Sequence, residues 1–149
     1  MTTTRQQSIS IDAPVETVFA FVEEPERFYV ALDSGMKILT EDVHPDLAGA
    51  TFRWSVPLMR VLTERGQMRR ADYVKNERIV DESSSGWVFT VTTEPGTAGT
   101  RLTLKAEKSS AVPFLDKLDA DVFRVDRMLQ RTLATLKERI EAPNHAAAG

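Results

Sequence analysis

The chain has 149 residues, 42% of them hydrophobic and 28% charged, with a net charge of -3 at neutral pH. That length suits one domain whose core is large enough to fold without staples, and the mixed, slightly acidic charge leaves no basic stripe to hold nucleic acid. Cysteine is absent, which excludes disulfides, thiolate metal sites and a cysteine nucleophile, and two histidines, His44 and His145, cannot build a multi-histidine metal centre.

The chain opens on Ser8-Ile9-Ser10-Ile11, whose alternation is that of a half-buried strand. Asp12 is placed to cap a helix, Pro14 has no amide to lose in a first turn, and Val15, Val18, Phe19 and Val22 share one helical face. Glu24-Pro25-Glu26-Arg27-Phe28-Tyr29 predicts a second short helix. A strand with poor alternation is expected within Met36 to His44, and Pro45 to Gly49 is a turn. Thr51 to Val56 alternates strictly, with Phe52, Trp54 and Val56 on one face, and Pro57 is expected to end or bulge that strand. Leu62 to Val74 has strand length but carries charge on both faces: Glu64, Arg70 and Asp72 on one, Arg65 and Arg69 on the other. Arg78 to Ser83 continues the meander after a turn at Lys75-Asn76-Glu77. Ser84-Ser85-Gly86 turns into Trp87 to Thr93, where Trp87, Phe89 and Val91 share a face. Pro95 to Gly99 is a hairpin connection, and Leu102 and Leu104 mark the last strand.

Pro113 is expected to open the final helix and Pro143 to end it. Between them Leu115, Leu118, Val122, Val125, Leu129, Leu133, Leu136 and Ile140 step by three or four residues, with Phe114, Phe123 and Met128 at the borders of the stripe. Acids early and bases late suit the helix dipole. The expected domain is a single unit over residues 7–141, with 1–6 and 142–149 as flexible termini. No repeat or low-complexity segment interrupts it. No apolar run approaches the roughly 18 residues of a membrane span, and the first seven residues lack the apolar core of a secretory signal, which favours the cytoplasm.

The segment Ile9-Ser-Ile-Asp-Ala-Pro-Val-Glu-Thr-Val-Phe-Ala-Phe-Val22 resembles the opening of the START-like, or polyketide cyclase/dehydrase and lipid-binding (SRPBCC), superfamily. Trp87 to Thr93, a turn, then Gly99-Thr-Arg-Leu-Thr-Leu-Lys-Ala-Glu107 resemble that superfamily's paired late strands. The resemblance implies an α+β helix-grip fold, in which a curved antiparallel sheet wraps around a long C-terminal helix and two short helices follow the first strand. It also implies a cavity between sheet and helix for a hydrophobic or amphipathic ligand. These motifs are structural, and one fold hosts many activities.

Suitable lining for such a cavity is Phe52, Trp54, Met59, Met68, Trp87 and Phe89 from the strand region, with Phe114, Leu118, Val122 and Met128 from the helix. The same residues would serve equally as plain core. Arg53, Glu64, Arg65, Arg70, Asp72 and Tyr73 are candidates for an inward polar group, because a buried charge must pair or bind something. Of these, Glu64 and Arg70 are the expected ligand contacts; the rival reading is a twisted, exposed strand with solvated charges.

No catalytic spacing is present: there is no Gly-Xaa-Ser-Xaa-Gly elbow, no phosphate-cradling glycine loop and no His-Glu-Xaa-Xaa-His pair. His44 beside Pro45 reads as a loop residue. Asp72 and Tyr73 are adjacent on a strand and face opposite sides, so they cannot act on one substrate. The function expected is binding of a small hydrophobic ligand of lipid, polyketide or isoprenoid-like character. The alternatives are a polyketide cyclase/aromatase-type enzyme and a protein-interaction module with a filled core. No cofactor, no metal and no nucleic-acid partner is expected, and an extended sheet edge is compatible with a homodimer.

Overall fold

The computed structural model describes residues 2–32, 35–39, 48–58, 61–109 and 119–148. Strand β1 (Thr2–Ile11) leads into helices α1 (Val15–Val22) and α2 (Pro25–Leu32). Strands β2 (Lys37–Leu39), β3 (Thr51–Leu58), β4 (Leu62–Val74), β5 (Arg78–Ser83), β6 (Trp87–Gly96) and β7 (Gly99–Ser109) follow, and helix α3 (Asp119–Ala148) closes the chain. The strands make one antiparallel sheet in the order β1-β7-β6-β5-β4-β3-β2. This is the expected α+β arrangement, a curved sheet with a long C-terminal helix and two short helices after the first strand.

Helix α1 begins two residues later than a cap at Asp12 would require. The cap position falls on Pro14, whose carbonyl accepts from the amides of Thr17 and Val18 at 3.1 Å, with no side-chain cap. Asp12 is instead tied through its own amide to Glu141 Oε2 of α3, at 3.0 Å. The turn that ends β1 lies against the start of β7. Gly99 has φ +137°, and a Cβ there would meet the backbone of Ile11 and Ala13, while Thr100 Oγ1 donates to the Ala13 carbonyl at 2.7 Å. Only glycine allows both the left-handed conformation and that approach. The β6–β7 connection is tighter than expected: Gly96 pairs with Gly99, which leaves Thr97 and Ala98 as the turn.

Pro57 does not end β3. It pairs with Thr63 inside the strand. Ala50 shares backbone bonding with Arg70 of β4, so by alternation the odd-numbered amides of β3 point the other way, toward β2. β2 reaches only Arg53 to Ser55, and a missing amide at residue 57 breaks no ladder bond there.

The charged strand β4 is resolved by a bulge. Its register with β5 shifts between Arg70 and Asp72, so Ala71 is an extra residue and the faces swap beyond it. Met68 and Arg70 face inward before the bulge. After it Tyr73, paired with Ile79, faces inward, and Asp72 turns outward to Arg78 at 2.7 Å. Glu64, Arg70 and Asp72 therefore do not share one face.

In α3, Leu129, Leu133, Leu136 and Ile140 are buried, and Val125 and Met128 pack beside them. The helix packs on β1, β7, α1 and α2. It continues past Pro143 to Ala148, giving up the bond a proline cannot make to the Arg139 carbonyl. Its 30 residues span about 45 Å. The expected opening at Pro113, with Leu115, lies outside the described residues.

Candidate functional site: the concave wall of the sheet

Residues directly opposite in an antiparallel pair face the same side, so the registers define rows across the concave face. Arg70, Asp81, Phe89 and Ala106 form one row across β4 to β7. Phe52, Met68 and Ser83 form the next across β3 to β5, and Trp54 with Gly66 the one beyond. Of the expected lining, Phe52, Trp54, Met68 and Phe89 come together on this wall and are buried. Trp87 stacks on Phe89 with ring centroids 5.6 Å apart and planes 7° from parallel. Lys108 lies over the Trp87 ring at 5.2 Å. Tyr29 of α2 extends the cluster, with ring centroids 5.7 Å from Phe52 and 5.9 Å from Phe89. Glu64 shares the concave face by register with Val56, and it is exposed at the end of the wall. Val122 lies in α3, its side chain outside those described. Met59, Phe114, Leu118 and His44 lie outside the described residues.

The polar centre of the wall is a closed group. Arg70 is 1% exposed and Asp81 3% exposed. The Arg70 guanidinium donates from Nε to Asp81 Oδ1 at 2.9 Å and from Nη2 to Oδ2 at 3.1 Å. Tyr29 donates its phenol to Oδ2 at 2.7 Å. Arg70 Nη1 donates to the Glu23 carbonyl at 2.9 Å, at the C-terminus of α1, where a cation complements the helix dipole. Tyr73 adds a bond from its hydroxyl to Glu23 Oε2 at 2.6 Å. The α1–α2 corner is thereby latched to β4 and β5. Burial, followed by the Asp81 charge and its hydrogen bond, pushes the Tyr29 phenol well above its ordinary value. Burial would lower Arg70, but the bond to Asp81 and that carboxylate's charge outweigh it and raise the guanidinium instead.

The expectation that a buried charge must pair holds for Arg70, and Asp81 is the partner that sequence reasoning passed over. The signal was available: Ile79, Asp81 and Ser83 alternate on one face of β5, next to the only neighbouring strand rich in arginine. Tyr29 carries no comparable signal, because α2 meets the sheet through tertiary packing alone.

One polar atom on the wall has no partner. Trp54 is 5% exposed, and its indole Nε1 is the only buried side-chain nitrogen or oxygen without a hydrogen bond among the described residues. The ring lies across Gly66, where a Cβ would collide with the six-membered ring. Two open grooves, of about 640 and 300 Å³, lie elsewhere. One runs beside β1 and the β6–β7 hairpin at Ser10, Pro95 and Arg101, and the other is on the outer face of α3 at Arg124, Arg127 and Arg131. Neither borders β3, β4 or β5, where the aromatic wall is closed to solvent. Among the described residues no cluster of histidine, aspartate and glutamate is arranged to hold a metal ion, and no helix is long and apolar enough to cross a membrane.

No protein-family model matches the chain, and no curated protein does. Solved structures do. The KanY protein aligns with a TM-score of 0.71 at 18% identity, covering 95% of this chain and 99% of its own. The polyketide-cyclase-like protein Cgl2372 from Corynebacterium glutamicum aligns with a TM-score of 0.60 at 20% identity, over 94% of this chain and 92% of its own. Ara h 8.0201 aligns with a TM-score of 0.65 at 10% identity, over 91% and 98%. Over nearly its whole length, then, the chain shares the fold of these proteins, the helix-grip arrangement of an antiparallel sheet with a long C-terminal helix.

Proposed function

We propose that the protein binds a small hydrophobic or amphipathic molecule, of lipid, polyketide or isoprenoid-like character, between the sheet and its C-terminal helix. One observation carries this reading. The described length of α3 packs over β1 and β7, whereas the aromatic and methionine side chains gather on β3 to β6, at Phe52, Trp54, Met68, Trp87 and Phe89. Flat and adaptable surfaces collected on strands that the described length of α3 does not fill suit an apolar guest that parts the side chains between them. The candidate contacts are those five residues with Arg70 and Glu64, and with Met59, Phe114, Leu118 and Val122 from the remaining lining. Arg70, Asp81 and Tyr29 satisfy one another, which supports binding over acid–base catalysis at this wall.

Native mass spectrometry of the purified protein tests the reading. The expected result is a reproducible non-covalent adduct, released by organic solvent, or a rise in melting temperature with members of a panel of fatty acids, aromatic ketones and isoprenoid alcohols. The bare protein mass together with an unmoved melting temperature across that panel would count against it.

A further inference from the structure

Resting on that reading, we infer that Trp54 selects the guest: its indole N–H donates to a neutral oxygen, a carbonyl or ether, carried on an otherwise apolar frame. The geometry is specific. Nε1 is closed off from water and unpartnered among the described residues, in a wall where other buried polar groups are satisfied. A donor without an acceptor is held at a cost that a bound oxygen would relieve. Around it stand Phe52 and Val56 on its own strand, Ile38 opposite on β2 and Gly66 opposite on β4. Gly66, having no side chain, leaves the space that the ring occupies over β4.

The charges on the same face argue for a neutral oxygen rather than a carboxylate. Glu64 lies one row from Trp54 on the concave side, and its charge repels an anion entering there. Arg70, the buried cation on this part of the wall, is neutralised by Asp81, to which it donates two bonds. Lys108 stands on β7, four strand spacings from β3, or about 19 Å away along the sheet.

The test compares three probes of one shape: 2-acetylnaphthalene, 2-ethylnaphthalene and 2-naphthoate, on the wild type and on Trp54→Phe, which keeps an aromatic ring and removes the donor. The ratio of ketone to hydrocarbon affinity is expected to fall roughly three- to tenfold in the variant, the worth of one net hydrogen bond, and naphthoate is expected to bind the wild type less tightly than the ketone. An unchanged ratio, or naphthoate binding tighter than the ketone, overturns the assignment while leaving the binding site standing. Failure of both neutral probes to bind the wild type overturns the site itself and the assignment with it. The indole proton resonance of Trp54 in the wild type, assigned by comparison with Trp87→Phe, gives a readout that does not depend on the Trp54 variant folding. It should move downfield with bound ketone and not with bound hydrocarbon, and a stationary resonance with ketone bound refutes the contact.

Discussion

Exchanging Asp81 for asparagine keeps the side chain's size and removes the charge that neutralises Arg70. The guanidinium would remain almost fully buried, with one of its three bonds in the Asp81–Glu23 set directed at a carbonyl and the other two no longer charge-paired. Breaking a buried ion pair from one side costs about 3–5 kcal/mol. For a chain of this size each kcal/mol moves the melting temperature by about 2–4 °C, so the variant should melt roughly 6–20 °C below the wild type. Urea denaturation followed by tryptophan fluorescence and by circular dichroism would measure the loss. Removing the whole group at once is the control. The triple variant Arg70→Met/Asp81→Leu/Tyr29→Phe leaves no stranded polar atom from this set except the Glu23 carbonyl, and should recover much of the deficit, because the desolvation of three polar groups disappears with their bonds. An Asp81→Asn protein within about 1 kcal/mol of the wild type, or a triple variant no more stable than the single one, would refute the account of the latch.

Three further outcomes follow from other parts of the molecule. Tyr29 is held protonated in the fold above its ordinary value of 10.0, so the unfolded chain releases that proton first as pH rises. Stability is therefore undiminished below about pH 10 and declines above it, and urea midpoints at about pH 8 and pH 11 should diverge less in Tyr29→Phe than in the wild type. Gly66→Ala drives a methyl group into the Trp54 ring; overpacking of this kind costs about 1–3 kcal/mol and should shift the tryptophan emission along with the urea midpoint. Gly99→Ala is strained twice, by φ +137° and by the Ile11 and Ala13 backbone, and should lower the melting temperature by more than the few degrees that correspond to about 1 kcal/mol.

The architecture was legible because its signals are periodic. Ile9 and Ile11, Phe52 to Val56, and the step from Leu129 to Ile140 each repeat at the spacing of one element, and each turns toward the core the face that its spacing marks. The wall is legible in the same terms: Phe52, Trp54, Met68 and Phe89 stand together because β3, β4 and β6 alternate. What escaped has no period. The extra residue at Ala71 is locally invisible, yet it decides that Tyr73 faces the core and Asp72 the solvent. Asp12 looks like a helix cap until the packing of Ala13 and Gly99 sets where α1 begins. Tyr29 and Asp81 meet only because an eight-residue helix lands on a particular row of the sheet. The open donor of Trp54 is a property of surroundings that no residue list contains.

The pairing of β1 with β7 has a consequence in time. Ala13 and Thr100, which close that seam, are 87 residues apart in sequence, and Lys137 and Glu141 of α3 reach back still farther, to Ser10 and Asp12. Strand β1 is synthesised well before β7 and must wait with its isoleucines uncovered until the β6–β7 hairpin has been made. Contacts of that span slow folding, because the chain must be brought together before they repay the loss of freedom. During synthesis, the vulnerable interval opens with β1 and closes only when β7 and α3 have followed it.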